Sequence, residues 1–313
     1  MNNAAQSLSD GGSLTWGQSS GKREFPRQIV DDGYASSMVA FGLQQVRHVW
    51  CGVVSVVVGS LWATVLADTA EFQELQRFRS QDAHQGVGVG AEYVYAVGSR
   101  SITQHDKLTG TVLRRWEASG KEWIHLDSAV VVGDRLFCAH SNFPLLPMTG
   151  SVEVYDATTL EWVSRRVWED PPGSFTWLDW YDGSWWACFA HYNGFGGYPD
   201  KDHSLTTLVR YSSDWNELGR WRFPSEVLRR FGRYSCSGGS WVDGDRLFCT
   251  GHDAAEVYVM SLPRVGEELV LNRILELNAY GQGIAFDRTE KGRSVLYSIK
   301  RRSREVVISV LRE

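Results

Sequence analysis

Three segments of this chain end in histidine: Arg135-Leu136-Phe137-Cys138-Ala139-His140, Trp185-Trp186-Ala187-Cys188-Phe189-Ala190-His191 and Arg246-Leu247-Phe248-Cys249-Thr250-Gly251-His252. An imidazole titrates near neutrality, so it can exchange a proton or, when neutral, ligate a metal. Three chemistries fit. In the first, His125, His140, His191 and His252 are acid–base groups, with Asp127 and Asp253 to orient them. In the second, His140, His191 and His252 hold a divalent metal ion, Zn2+ or Mn2+ being natural for such ligands. These ligands come from separate segments, so no compact metal motif exists. In the third, the histidines hydrogen-bond a polar ligand such as a sugar without reacting.

Candidate substrate-binding groups stand beside them: His84, Gln85, Asn142, Tyr192, Ser237 and Gln282, with Trp177 as an apolar wall. Convergent polar groups in an apolar cleft make the usual small-molecule pocket. The competing roles are structural: a packed histidine, or a tryptophan buried between neighbouring units. Familiar nucleophile signatures do not help. The one Gly-x-Ser-x-Gly match, Gly17-Gln18-Ser19-Ser20-Gly21, lacks the strand-to-helix context of a nucleophile elbow.

The elements that must position these residues are strands. Each histidine segment follows a turn, at Gly133-Asp134, Asp182-Gly183 or Asp243-Gly244-Asp245. From residue 71 onward short β-type runs alternate with Gly, Asp and Asn corners, and helical periodicity is almost absent. The runs align as five units, starting near His84, His125, Phe175, Cys236 and Gln282. The fifth has room for only three strands, and Phe72 to Phe78 can supply its fourth, which removes the open edges of a ring. The expected fold is therefore all-β: a five-bladed β-propeller with an N-terminal strand closing the last blade. A β-sandwich of the same strands is the alternative, but it leaves the repeated strand-to-His pattern unexplained.

In a propeller the loops leaving the second strands and the connections between blades share one face. Here they include the long segments 141–150, 193–204, 117–123 and 224–234, and long loops commonly carry function. The same face is expected to collect His84, His125, His140, His191, His203 and His252, with His105 on the other side.

Bulk properties narrow the class. With 313 residues, 43% of them apolar, the chain can bury a sizeable core. A net charge of -5 gives no reason to expect nucleic acid, and the one basic cluster, Lys300-Arg301-Arg302, reads as a solvated turn. Residues 1–37 are rich in Asn, Gln, Ser and Gly and read as a disordered or untranslated extension. Residues 38–67 follow with Arg47 and His48, an apolar run from Val49 to Leu66 and a small residue at Ala67. This is the plan of a secretory signal peptide, with a single-span membrane anchor as its alternative. The propeller domain is then 68–313, secreted or periplasmic, touching a membrane only through an uncleaved anchor. Cys138, Cys188 and Cys249 occupy matching places in the repeat and read as small core residues rather than disulfide partners.

The strings His84-Gln85-Gly86-Val87, Gln282-Gly283-Ile284 and Lys107-Leu108-Thr109-Gly110 resemble blade parts of secreted bacterial five-bladed propellers. Two groups share them: propeller-type glutaminyl cyclases and propellers labelled cycloisomerase-like. The Glu-Gly-Trp-Gly-Leu element of the cyclases is absent from this sequence. The leading expectation is a secreted enzyme acting on a small polar molecule at the His-rich face, by proton transfer in a lyase, cyclase or isomerase step. The rival expectation is a non-catalytic propeller that binds a glycan or a protein, so the expected partner is a small-molecule or saccharide ligand.

Overall fold

The computed structural model describes residues 70–313. The expectations for 1–37 and 38–67 lie outside these residues. Within them, β1 (Glu71–Arg79) comes first. Blade I follows as β2 (Gly86–Val89), β3 (Tyr93–Gly98), β4 (Ser101–Asp106) and β5 (Val112–Glu117). Blade II is β6 (His125–Val132), β7 (Arg135–Ser141), β8 (Gly150–Asp156) and β9 (Trp162–Trp168). Blade III is β10 (Ser174–Tyr181), β11 (Ser184–Ala190), β12 (Thr207–Tyr211) and β13 (Glu217–Arg222). Blade IV is β14 (Gly238–Val242), β15 (Arg246–Thr250), β16 (Glu256–Ser261) and β17 (Val270–Glu276). Blade V is β18 (Ala285–Phe286), β19 (Val295–Lys300) and β20 (Glu305–Arg312), completed by β1.

Each blade is an antiparallel sheet, and its first strand packs on the first strand of the next blade all the way round the ring. β1 pairs with β20 from Glu71 opposite Arg312 to Arg79 opposite Glu305. The fold is thus the five-bladed propeller expected, with the N-terminal strand closing the last blade. A chain that meets its own beginning leaves no long unpaired edge inside the ring.

The core is divided into wedges. Trp177 and Trp186 of blade III pack with Trp241 and Tyr258 of blade IV, and Tyr95 and Ile102 of blade I pack with Leu136 and Tyr155 of blade II. Similar clusters fill the other three junctions. Outer strands such as β9 alternate little and stay exposed, whereas β11 is buried throughout. The four described cysteines are free and buried, Cys138 in one wedge and Cys188, Cys236 and Cys249 in another.

Local sequence explains the corners. Asp182 (φ 48°) and Gly183 (φ 64°) both take the left-handed conformation between β10 and β11, as a tight two-residue hairpin demands. One element was not expected: α1 (Ser225–Phe231), in the connection from blade III to blade IV. Its Val227, Leu228 and Phe231 turn one face into the core, a period too short-lived to register as a helix in the sequence. No helix among the described residues is long and apolar enough to cross a membrane.

The central channel narrows at a waist where the first strands nearly touch. A Cβ on Gly238 would fall 2.3 Å from the Gln282 carbonyl oxygen and 2.9 Å from Gly283 Cα. Only glycine fits so close an approach. Below the waist lies a cavity of about 210 Å³ whose charged groups are already consumed. There Asp179 accepts the Trp241 amide at 2.8 Å and pairs with Arg288, tying blades III, IV and V together.

Candidate active site at the channel mouth

Above the waist all five blades contribute to a second cavity, of about 180 Å³. Two strand irregularities aim side chains into it. β6 slips register against β7 between Leu126 and Ala129, and β10 slips against β11 between Phe175 and Trp177. An extra residue in one strand redirects its side chain. The residues so placed are Asp127 and Thr176, and both line the cavity.

Asp127 is the most constrained polar group there. Its Oδ1 lies 3.1 Å from His125 Nε2, while Oδ2 is buried with no hydrogen-bond partner among the described residues. Burial holds the Asp127 carboxyl above the usual carboxylate range, against the opposing pull of His125. Burial alone would lower His125, but the Asp127 charge and hydrogen bond outweigh it and leave the imidazole raised. The two groups behave as one coupled proton-holding pair.

An aromatic wall stands beside the pair. Phe143 packs 5.5 Å from the His125 ring, 4.9 Å from Tyr192 and 5.9 Å from Phe195, ring centre to ring centre. Asn142 sets the Phe143 loop by donating to the Pro147 carbonyl at 2.8 Å and accepting the Thr149 amide at 2.8 Å. Burial pushes the Tyr192 hydroxyl up, so it stays protonated.

The opposite wall is cationic. Arg301 donates from Nε to His84 Nε2 at 3.0 Å and from Nη1 to His252 Nε2 at 2.7 Å. A guanidinium can only donate, so both imidazoles accept through Nε2. His252 then carries its proton on Nδ1, 2.7 Å from Asp253 Oδ1. Burial first and the Arg301 charge second depress His84 to about 4. Burial also lowers His252, although Asp253 resists. The Tyr234 ring lies 4.3 Å from the His252 ring. Gln85 donates to Ser99 Oγ at 2.8 Å and Gln282 to the His252 carbonyl at 3.2 Å, and Ser237 completes the rim.

The cavity therefore gathers His125, Asp127, His252, Gln85, Tyr192, Ser237 and Gln282 from the expected set. His84 and Asp253 stand one step behind, holding Arg301 and His252. Four expected residues lie elsewhere, the first being Asn142, whose side chain is spent on its own loop. His140 accepts the Ile124 amide at 3.1 Å and bonds Ser151 Oγ at 3.0 Å, so both ring nitrogens are spent on the fold. Burial, then Arg165, brings its pKa down to about 4. His191 donates to the Pro172 carbonyl at 2.8 Å and is buried away from the cavity. Trp177 is wholly buried, with its indole N–H on Cys236 Sγ at 3.2 Å. The expected metal trio of His140, His191 and His252 is not brought together. Among the described residues no group of three His, Cys, Asp or Glu side chains is placed to hold a metal ion.

Arg301, Tyr234, Thr176 and Phe143 were not foreseen. Arg301 had a signal: it follows β19 directly, as His191 follows β11, so it occupies the fifth blade's version of the histidine position.

No protein-family model and no curated protein matches this sequence. Among solved structures the chain is similar to the glutaminyl cyclase of Myxococcus xanthus. That match has a TM-score of 0.54 and 9% identity, covering 77% of this chain and 97% of that one. It is also similar to the hydrazine synthase of Kuenenia stuttgartiensis, with a TM-score of 0.42, 12% identity, and 69% and 68% of the two chains covered. The Pan2 WD40 domain of Neurospora crassa gives a TM-score of 0.40 and 7% identity over 72% and 74%. At these identities the cyclase likeness speaks for the propeller fold alone.

Proposed function

We propose that the cavity at the channel mouth is the active site of an enzyme that transfers a proton on a small polar substrate, in a lyase, cyclase or isomerase reaction. The observation that carries this reading is the Asp127–His125 pair lining the cavity, with one carboxylate oxygen against the imidazole and the other buried without a partner among the described residues. A strand bulge and a half-satisfied buried carboxylate both cost stability, and such costs collect at functional sites. The raised pKa of each partner suits a general acid–base pair near neutrality. The Asp127 carboxylate takes a proton from the substrate, and His125 keeps it oriented and shares its charge. Arg301, across the cavity, stabilises negative charge that develops on the substrate. Gln85 and Gln282 frame it from the cavity wall.

The likeness to a glutaminyl cyclase makes peptides with N-terminal glutamine the first substrates to try, with ammonia release as readout. Wider screening uses small amides, hydroxy acids and lactones. On any substrate turned over, Asp127→Asn is expected to lower kcat by roughly 10²- to 10⁴-fold with little change in KM. Wild-type turnover in Asp127→Asn and His125→Ala together would end this reading. One observation favours a second reading: Phe195 is 62% exposed at the cavity rim, as a sugar-stacking residue would be. Saccharide binding without turnover is its signature. We further propose export of the protein, on the strength of the 38–67 segment; N-terminal sequencing of mature protein that starts at Asp68 would support it.

A further inference from the structure

The inference rests on the cavity being a site for a small polar molecule, and it names the class of that molecule. Three other arginines of this chain meet a buried carboxylate: Arg288 on Asp179, Arg115 on Asp82 and Arg165 on Glu153. Arg301 is different. Its partners are His84 and His252, both accepting through a ring nitrogen, and no carboxylate pairs with it among the described residues. Two imidazole acceptors fix the guanidinium without neutralising it. Its charge faces the cavity that it lines.

Asp127 makes the opposite pole. Its side chain lines the same cavity, and its Oδ2 is buried with no hydrogen-bond partner among the described residues. The poles are close enough to feel each other's surroundings, since Arg301 disfavours a proton on His125 and Asp127 favours one on His252. A cavity of about 180 Å³ is smaller than drug-sized pockets and suits a single metabolite-sized molecule. A phosphate would meet the Asp127 charge, and a neutral sugar would leave two charges without counterparts.

We propose that the cavity takes a small zwitterion of the free amino-acid type, its carboxylate on Arg301 and its ammonium on Asp127. Aromatic Phe143, Tyr192 and Tyr234 then enclose the side chain.

Calorimetric titration of the purified protein with the proteinogenic L-amino acids tests this. At least one is expected to bind, and its C-terminal amide and N-acetyl derivative are each expected to bind roughly ten- to hundredfold more weakly. Arg301→Gln should weaken the free acid by the same factor and leave the amide's already weak binding unchanged. Arg301→Lys should recover part of the loss, and unchanged melting temperatures show that the variants are folded. Failure of every amino acid to bind, or an amide that binds as tightly as its acid, overturns the proposal. The proton-transfer reading falls separately. Amino acids that bind with both poles but never react leave this proposal standing. Turnover of some other substrate that depends on Asp127, with no amino-acid binding, removes the proposal and keeps the enzyme.

Discussion

Replacing Asp127 with Asn should stabilise the fold at alkaline pH while removing the activity. Asp127 is buried, its carboxyl is raised above the usual range, and Oδ2 has no partner. A group that binds its proton more tightly in the folded state loses stability as pH rises from its unfolded pKa through its folded one. His125 is also raised, so the stability it contributes is present below about 6.5 and is lost as pH climbs through its folded pKa. At pH 5.5 the imidazolium therefore compensates the carboxylate, and at pH 8.5 the carboxylate stands buried without a counter-charge. A buried carboxylate without a counter-charge is costly, so relief of roughly 1–3 kcal/mol is expected from the neutral isostere at pH 8.5. For a domain of this size that is roughly 2–10 °C in melting temperature. Scanning calorimetry at the two pH values is the assay. The Asn variant should melt higher than wild type at pH 8.5, and the advantage should shrink or reverse at pH 5.5, where the ion pair is lost. A variant that melts lower than wild type by the same amount at both pH values would make Asp127 a structural keystone and refute the reasoning.

The waist offers a steric test. Gly238→Ala drives a Cβ against the Gln282 carbonyl and should cost about 1–3 kcal/mol, and it should weaken ligand binding by displacing Gln282, both measurable by calorimetry. His140 offers the acid counterpart of Asp127. Its pKa is depressed to about 4, so the neutral imidazole is favoured by folding and stability is lost as pH falls from about 6.5 towards 4. His140→Gln should flatten that loss by roughly 2–4 kcal/mol in denaturant titrations between pH 7 and 4, with turnover at pH 7 unchanged.

The blades were legible because turn chemistry and strand length are local properties. Gly133, Asp182-Gly183 and Gly244 sit at the corners they announce, and the five expected units are the five blades observed. Blade V was legible as a shortage of strands, which β1 repairs by pairing with β20. The histidine face was legible as an address and less so as a constellation. Sequence shows that His140 ends a strand, but not that Ile124 and Ser151 occupy both of its nitrogens. Those partners are settled by tertiary packing. The bulges at Asp127 and Thr176 were equally hidden, since one unpaired residue reverses the inward–outward alternation without altering composition.

The position after each second strand shows how a repeat becomes a single site. Its occupants are Ser99, His140, His191, His252 and Arg301 across the five blades, or lie within a residue or two of it. Symmetry would present five equal groups to the channel, and the structure does not. Ser99 takes a hydrogen bond from Gln85, His140 and His191 are turned to backbone and strand partners, and only His252 and Arg301 reach the cavity. The acid stands opposite, on β6, where a bulge turns Asp127 inward. A cation on blade V and a carboxylate on blade II give the channel mouth a direction that no repeat unit has. A ligand with two unlike ends is what such a direction selects.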